Sequence, residues 1–285
     1  MIQRANGMSE RVWLITGGST GIGRSLAKQV LEGGDRAAVS ARKPEALREL
    51  TEQFGESALA LTLDVTQRDL IAEAVDKTEK HFGKIDVLVN NAGYGYFSAI
   101  EEGEESEIRR QFETNVFGLF EVTKQVLPGM RRRRSGNIVM ISSIGGLMAF
   151  PATGYYHASK FAVEGYSESL AQEVAPLGIK VTIVEPGRFR TDWAGRSMVE
   201  SKTVIDDYAE TAGVRRKQVH EYSGTQPGDP NKAAAAIIKA VDASIPPLRL
   251  LLGPDAYQMA QKRLSALSES FEAWKDVSVN TDFDN

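Results

Sequence analysis

The chain has 285 residues, of which 42% are hydrophobic and 25% charged, and a formal net charge of -4. That make-up is ordinary for a soluble globular protein and offers no overall basic field for nucleic acid. There is no cysteine, which excludes a disulfide framework and any cysteine-held zinc or iron–sulfur site.

Strand and helix patterns alternate from the start. Val12–Thr16 is an apolar run, followed by a glycine-rich turn and a helical pattern over Ile22–Leu31. Arg36–Ser40 reads as a strand, Pro44–Phe54 as a helix and Ala58–Leu63 as a strand. Thr66 is suited to cap the next helix, which runs to about Phe82. Ile85–Val89 is a fourth strand, residues 105–127 a long helix, and Asn137–Ser142 a fifth strand. Residues 153–175 form another long helix, and Ile179–Val184 a sixth strand. Residues 192–229 break the rhythm, as either a lid-like insertion or a plain surface insertion. Asn231–Ala243 reads as a helix, Leu248–Leu252 as a last strand and 254–275 as a closing helix. Residues 1–8 and 276–285 read as flexible tails around a single domain, 9–275.

Strands this apolar are buried on both faces, so the repeated units predict a parallel sheet with helices on each side. That is a single doubly wound α/β Rossmann fold.

Thr16-Gly17-Gly18-Ser19-Thr20-Gly21-Ile22-Gly23 stands between the first strand and the first helix. There the chain must turn tightly, approach a pyrophosphate and pack helix against sheet, which glycine permits. Free amides and the helix dipole favour the phosphates. The second strand leads to Ser40-Ala41-Arg42, with no acid in residues 36–44 to hold a ribose 2′-hydroxyl. Arg42, helped by Ser40, suits a 2′-phosphate. NADP(H) is therefore expected over NAD(H), unless Arg42 is only a solvated charge. Asp64-Val65 follows the third strand, where an adenine ring can lie, although Asp64 can equally begin the next helix. Asn90-Asn91-Ala92-Gly93 follows the fourth strand, and its small residues let backbone pass close to a flat ligand.

Tyr156 and Lys160 are four apart on a helix and share a face. A nearby ammonium is expected to lower the tyrosine pKa toward neutrality and make it an acid–base group. Tyr155 is not in register with Lys160. Ser143 ends the fifth strand, where its hydroxyl can polarise a substrate oxygen.

Together these residues resemble the short-chain dehydrogenase/reductase family, from about Val12 to Thr191. Thr16–Gly23 matches its cofactor turn, Asn90–Gly93 its NNAG segment, and Asn115 its helix-borne asparagine. Ser143, Tyr156 and Lys160 match its catalytic set, Pro186-Gly187 its turn after strand six, and Thr191 its nicotinamide contact. The resemblance implies catalytic roles for Asn115, Ser143, Tyr156 and Lys160, and no metal. It implies cofactor contacts from Gly17, Ser19, Thr20, Gly21, Ile22, Gly23, Asn91, Ala92, Gly93, Pro186, Gly187 and Thr191, besides Ser40, Arg42, Asp64, Val65, Tyr156 and Lys160. The Tyr-x-x-x-Lys spacing favours carbonyl chemistry over reduction of carbon–carbon double bonds.

A substrate lining is expected from Tyr94, Tyr96, Phe97, Ser143, Gly145–Pro151 with Met148 and Phe150, Trp193 and Met198. Some of these can instead be core. Their apolar character favours a hydrophobic ketone, aldehyde or alcohol. The arginine run Arg131–Arg134 suits a helix C-terminus as a solvated face. The family's long helices imply a homodimer or homotetramer, although the longer C-terminus can block one of its interfaces. No apolar run is long enough to span a bilayer and no secretory signal opens the chain, so a cytoplasmic location is expected. The competing function is a cofactor-sensing binding protein on the same fold. Such a protein has no need of an acid–base tyrosine.

Overall fold

A computed structural model describes residues 10–195 and 197–283. The expected N-terminal tail lies outside the described residues.

In chain order come β1 (Val12–Ile15), α1 (Gly21–Glu32), β2 (Arg36–Ala41), α2 (Arg48–Phe54), β3 (Ala58–Thr62), α3 (Arg68–Phe82) and β4 (Val87–Asn90). Then follow β5 (Gly95–Phe97), α4 (Glu105–Phe112), α5 (Leu119–Arg133), β6 (Gly136–Ile141), α6 (Gly154–Val174) and β7 (Ile179–Pro186). The chain closes with β8 (Met198–Glu200), α7 (Val214–Tyr222), α8 (Pro230–Asp242), β9 (Arg249–Leu252), α9 (Pro254–Ala273) and α10 (Lys275–Ser278). The helical path thus continues past residue 275, into the stretch expected as a tail.

Seven strands form one sheet in the order β3-β2-β1-β4-β6-β7-β9, and every pair in it is parallel. Successive residues point to opposite faces, so neighbouring apolar residues enter different cores. Leu14, Leu88 and Met140 pack with Val75 of α3, Val122 of α5 and Val163 of α6. Ile15, Val89 and Val184 pack with Leu26 of α1 and Ile237 of α8. The strand order reverses between β1 and β4, which opens a crevice at the strand C-termini.

Two local details differ from the sequence reading. The cap position of α3 is Gln67, without a side-chain cap bond. The Thr66 hydroxyl instead donates to Asp64 Oδ1 at 2.8 Å. The long helix expected over 105–127 is interrupted by a π-helical stretch at Glu113–Gly118 and runs on to Arg133. Such bulges concentrate at functional sites, and this one carries Asn115.

Residues 192–229 fold onto the segment after β4. β8 pairs with β5 in a separate parallel ribbon. Glu102, almost fully buried, accepts from Ala99 N at 2.8 Å and Ile205 N at 3.0 Å and pairs with Arg216. Burial alone would raise the Glu102 pKa, but these donors hold it below the usual carboxylate value.

Candidate active site

One cavity of about 540 Å³ sits over the crevice. Its floor is the glycine turn. Gly17 has φ +67 and lies so close to the fourth-strand loop that an added Cβ would stand 2.8 Å from Ala92 Cα. Gly23 is equally confined, since its Cβ would meet Asn91 Nδ2 at 2.4 Å. The Asn91 amide holds the two loops together by donating to Thr16 O at 2.9 Å and Gly17 O at 2.8 Å. Thr16 Oγ1 in turn accepts from the backbone N–H of Asn91 and Ala92.

Gly17, Ser19, Thr20, Gly21 and Ile22 reach the cavity, as do Arg42, Asp64, Val65, Asn91, Ala92, Gly93, Pro186, Gly187 and Thr191. Gly23 and Ser40 are not on its wall. Gly23 serves close packing, and Ser40 is buried within β2, its carbonyl accepting from Gly18 N at 2.8 Å. Asp64 lies on the wall while its carboxylate organises the turn before α3.

Ser143, Tyr156 and Lys160 line the same cavity. Lys160 Nζ donates to Ile141 O at 2.8 Å and stands 5.7 Å from the Tyr156 ring centroid. Ser143 follows β6, its Oγ accepting from Gly145 N at 3.0 Å. Asn115 sits behind the wall. Its amide clamps the Tyr94 peptide, accepting from Tyr94 N at 3.0 Å and donating to Tyr94 O at 2.9 Å. A Cβ on Gly93 would lie 3.1 Å from Asn115 Oδ1 and 3.8 Å from Lys160 Nζ, so Asn115 and Lys160 flank that glycine.

The electrostatics differ from the expected lowering of the tyrosine pKa. Burial pushes Tyr156 up to about 12, and a hydrogen bond with Ser143 pulls only partly the other way. Burial also pushes Lys160 down to about 8, with Glu164 one turn further along α6 opposing it. Desolvation therefore outweighs the ammonium, whose protons are aimed at the Ile141 carbonyl. His157, bonded to Thr153 and Gly145 O, is driven down to about 4 by burial and is neutral at physiological pH.

The expected substrate residues divide. Trp193 reaches the cavity and stacks obliquely on Tyr156, with centroids 5.1 Å apart. Tyr96, Phe97, Gly145, Phe150 and Met198 do not form the wall. Tyr96 and Phe97 are fully buried on opposite faces of β5: Phe97 enters the ribbon core and backs Trp193 at 5.5 Å, while Tyr96 stacks on Tyr155 of α6 at 6.4 Å and its hydroxyl accepts from Glu104 N. The cavity also gains residues that sequence reasoning missed: Arg110 near Tyr94 and Thr114 one turn on, Arg188 and Phe189 after the Pro-Gly turn, and Tyr222 at the end of α7 with Gln226 beyond it. Only Arg188 and Phe189 carried a signal, being next in sequence to Gly187.

The model of the short chain dehydrogenase family matches residues 11–201. The chain belongs to the short-chain dehydrogenase family. It is 42% identical over 270 residues to an oxidoreductase, BOA17, of Botryotinia fuckeliana, covering 94% of this chain and 98% of the relative. It is 40% identical over 264 residues to a 3-ketodihydrosphingosine reductase of Bacteroides thetaiotaomicron, covering 92% and 95%. The structure of a short-chain dehydrogenase from Streptomyces avermitilis superposes with a TM-score of 0.91 at 44% identity, covering 96% of this chain and all of that one.

This short-chain dehydrogenase braces its site from behind with a buried ion cluster. Arg249 of β9 bonds Glu185 of β7 at 2.7 Å and Glu168 of α6 at 2.7 Å, and also pairs with Glu164. Burial raises Glu185 to about 7 and also raises Glu164, against the pull of Arg249 and, for Glu164, of Ser142. The cluster ties β9 to the helix of Lys160 and to the strand that ends at Pro186.

Proposed function

We propose that this short-chain dehydrogenase transfers a hydride between NADP(H) and a hydrophobic ketone, aldehyde or secondary alcohol. The observation that carries this reading is the meeting of Ser143, Tyr156 and Lys160 in the cavity that also holds the glycine turn and Arg42. The fit to a dinucleotide is steric as well as chemical. Gly17 and Gly21, both at positive φ, leave backbone exposed where a side chain would fill the cradle. Arg110 also lies on the wall, engaged by Glu107 and 6.0 Å from the Tyr94 ring centroid. The Arg42 guanidinium after β2 favours a 2′-phosphate over a bare hydroxyl.

When bound, the nicotinamide supplies or accepts the hydride. The remaining work falls to the chain. The Ser143 hydroxyl holds the substrate oxygen. The Tyr156 phenol, kept neutral by burial, gives its proton to that oxygen in reduction and recovers it in oxidation. The Lys160 amine binds the ribose hydroxyls and, when charged, favours the phenolate left after transfer. Asn115, by fixing the backbone at Tyr94, anchors a water-linked path that resupplies the proton.

Tyr94, Trp193, Val199 and Tyr222 give the substrate end an apolar, aromatic wall. The name of the Bacteroides relative adds a long-chain ketone to the candidates. Phe117 beside α5 and Phe161 on α6 are half exposed, which supports a homodimer or homotetramer through these helices. The test is NADPH oxidation, followed by absorbance, against aryl ketones, hydrophobic aldehydes, steroid ketones and 3-ketodihydrosphingosine, with NADH in parallel. The reading expects turnover of at least one carbonyl with NADPH preferred. Equal use of NADH would overturn the cofactor assignment. Tight NADPH binding with no turnover of any carbonyl, nor of alcohols with NADP⁺, would overturn the reaction.

A further inference from the structure

Gly145 joins Ser143 to a buried ring. Its N–H donates to Ser143 Oγ at 3.0 Å. On the other side of its Cα, its carbonyl accepts from His157 Nδ1, also at 3.0 Å. A Cβ on this glycine would stand 2.5 Å from His157 Nδ1 and 3.3 Å from Ser143 Oγ, so the histidine and the serine close on it together. Glycine has the widest backbone freedom of any residue. Here both of its polar groups are pinned.

The partners of His157 fix where its proton sits. A carbonyl oxygen only accepts, so Nδ1 carries the proton. Burial drives the ring down to about 4, so it is neutral and Nε2 keeps a lone pair. Thr153 Oγ1 is 2.8 Å from that nitrogen and donates to it. The same hydroxyl lies 3.4 Å from the carbonyls of Phe150 and Pro151, contacts long enough to leave its proton to the ring. The bonds therefore run in one direction: Thr153 to His157, His157 to Gly145 and Gly145 to Ser143. Phe150 covers the ring edge-on, with centroids 5.4 Å apart.

Two local features single this arrangement out. Thr153 holds the cap position of α6 but makes no side-chain cap bond, although threonine is suited to one. Its hydroxyl goes to His157 instead. Ala152, just before it, stands at φ +64, a conformation that residues with a Cβ rarely adopt and that gathers at functional sites.

A hydroxyl has one proton and two lone pairs. With one lone pair held by the Gly145 N–H, the Ser143 proton is left for Tyr156 or for an oxygen in the cavity. We propose that His157 is a positioning residue for Ser143, fixing the direction of its hydroxyl through Gly145. It touches neither substrate nor cofactor, and no proton passes through it. The inference rests on the proposed role of Ser143 in holding the substrate oxygen. Reacting groups locked from behind in this way keep the geometry on which rate depends.

The test compares His157→Leu with His157→Asn, two side chains of the same shape. The asparagine amide can donate to Gly145 O from the place of Nδ1, and leucine cannot. Active sites are counted by NADPH binding, so that unfolded chain does not enter the rate. The proposal expects kcat for carbonyl reduction to fall about 10- to 100-fold in the leucine variant. The NADPH dissociation constant should hold within about twofold, and asparagine should recover most of the loss in kcat. An unchanged kcat in the leucine variant would overturn the proposal, and so would an equal loss in both variants. In a Ser143→Ala chain the leucine change should lower kcat no further, since no hydroxyl is left to aim. A full further loss would show that His157 acts on the fold and not through Ser143. A second measurement needs no turnover. The chain has three histidines, His81, His157 and His220, so the ring nitrogen-15 resonances of His157 are assigned by their loss in the asparagine variant. At pH 7 they should report a neutral ring with its proton on Nδ1. A proton on Nε2 would overturn the inference even where carbonyl turnover is normal. The expected ring in a chain that turns over no carbonyl would instead overturn the proposed reaction, and any part of His157 in it.

Discussion

The two ends of the active-site cavity are built from different kinds of chain. The proposed cofactor end is made of strand C-termini and the turns that follow them: Gly17 and Ser19–Ile22 after β1, Arg42 after β2, Asp64 after β3 and Asn91–Gly93 after β4. The proposed substrate end is made of Trp193 in a 3-10 turn, Ser197, Val199 of β8, Tyr222 at the end of α7 and Gln226, and β8 pairs with β5 outside the main sheet. A turn fixed between a buried strand and a packed helix has few conformations open to it. A segment tied to the body by a short ribbon and side-chain bonds such as Glu102–Arg216 and Ser201–Glu102 has more. On the proposed reading, the chemistry is anchored in the rigid sheet and the choice of substrate is delegated to the region where the chain is freest to vary.

That division gives an order of expected effects. The largest lies in the brace behind the rigid end. Arg249→Leu leaves Glu185, fully buried, and Glu164, nearly so, without their cation. Removing one partner of a buried ion cluster costs about 3–5 kcal/mol, so the unfolding midpoint in denaturant should fall sharply. An unchanged midpoint would mean that the cluster does not hold the sheet together. Next comes Arg42→Asp, which exchanges an attraction for the 2′-phosphate for a repulsion. Its NADPH dissociation constant should rise about 10- to 100-fold, on the scale of about 1.5–3 kcal/mol for a charged hydrogen bond, with NADH binding little changed. Parallel loss of both would place Arg42 outside the discrimination.

At the other end, Trp193→Ala should raise KM for a hydrophobic carbonyl about tenfold, the order of a large side chain's lost contact. Cofactor affinity should be left alone. A change confined to cofactor affinity would move Trp193 to the rigid end. The smallest effect is on the pH profile. Lys160 is charged below its pKa of about 8 and loses that charge as pH rises. Carbonyl reduction should therefore hold level from pH 6 to 7.5 and decline above about 8. His157, already neutral above about pH 4, should add no step in that range. A profile flat to pH 10 would show that the Lys160 charge is not used.

How much could be read from the sequence follows the same division. The glycine turn, Asn91–Gly93, Ser143, Tyr156 and Lys160 were legible because each follows a strand or shares a helix face at short spacing. Gly23 and Ser40 were placed one layer too far out, since a motif names residues without saying which face inward. Tyr96 and Phe97 were read as lining because they follow Gly93. The β5–β8 pairing that buries Phe97 joins segments about a hundred residues apart, and the Tyr155 ring that Tyr96 stacks on is also distant in sequence. Tyr222 and Gln226 were invisible for the same reason. Arg110 was hidden on a helix whose facing depends on the π-helical stretch after it. The sign of the Tyr156 shift was missed because spacing reports the neighbouring ammonium but not the depth of burial.

The most direct test of the central claim is Tyr156→Phe, which removes one hydroxyl and keeps the ring against Trp193. The account predicts that NADPH binding, followed by fluorescence, is unchanged within about twofold. Carbonyl-dependent NADPH oxidation should fall by at least the factor of about 10²–10⁴ typical of a lost general acid. Turnover retained at the natural rate would contradict the account and place the proton donor elsewhere.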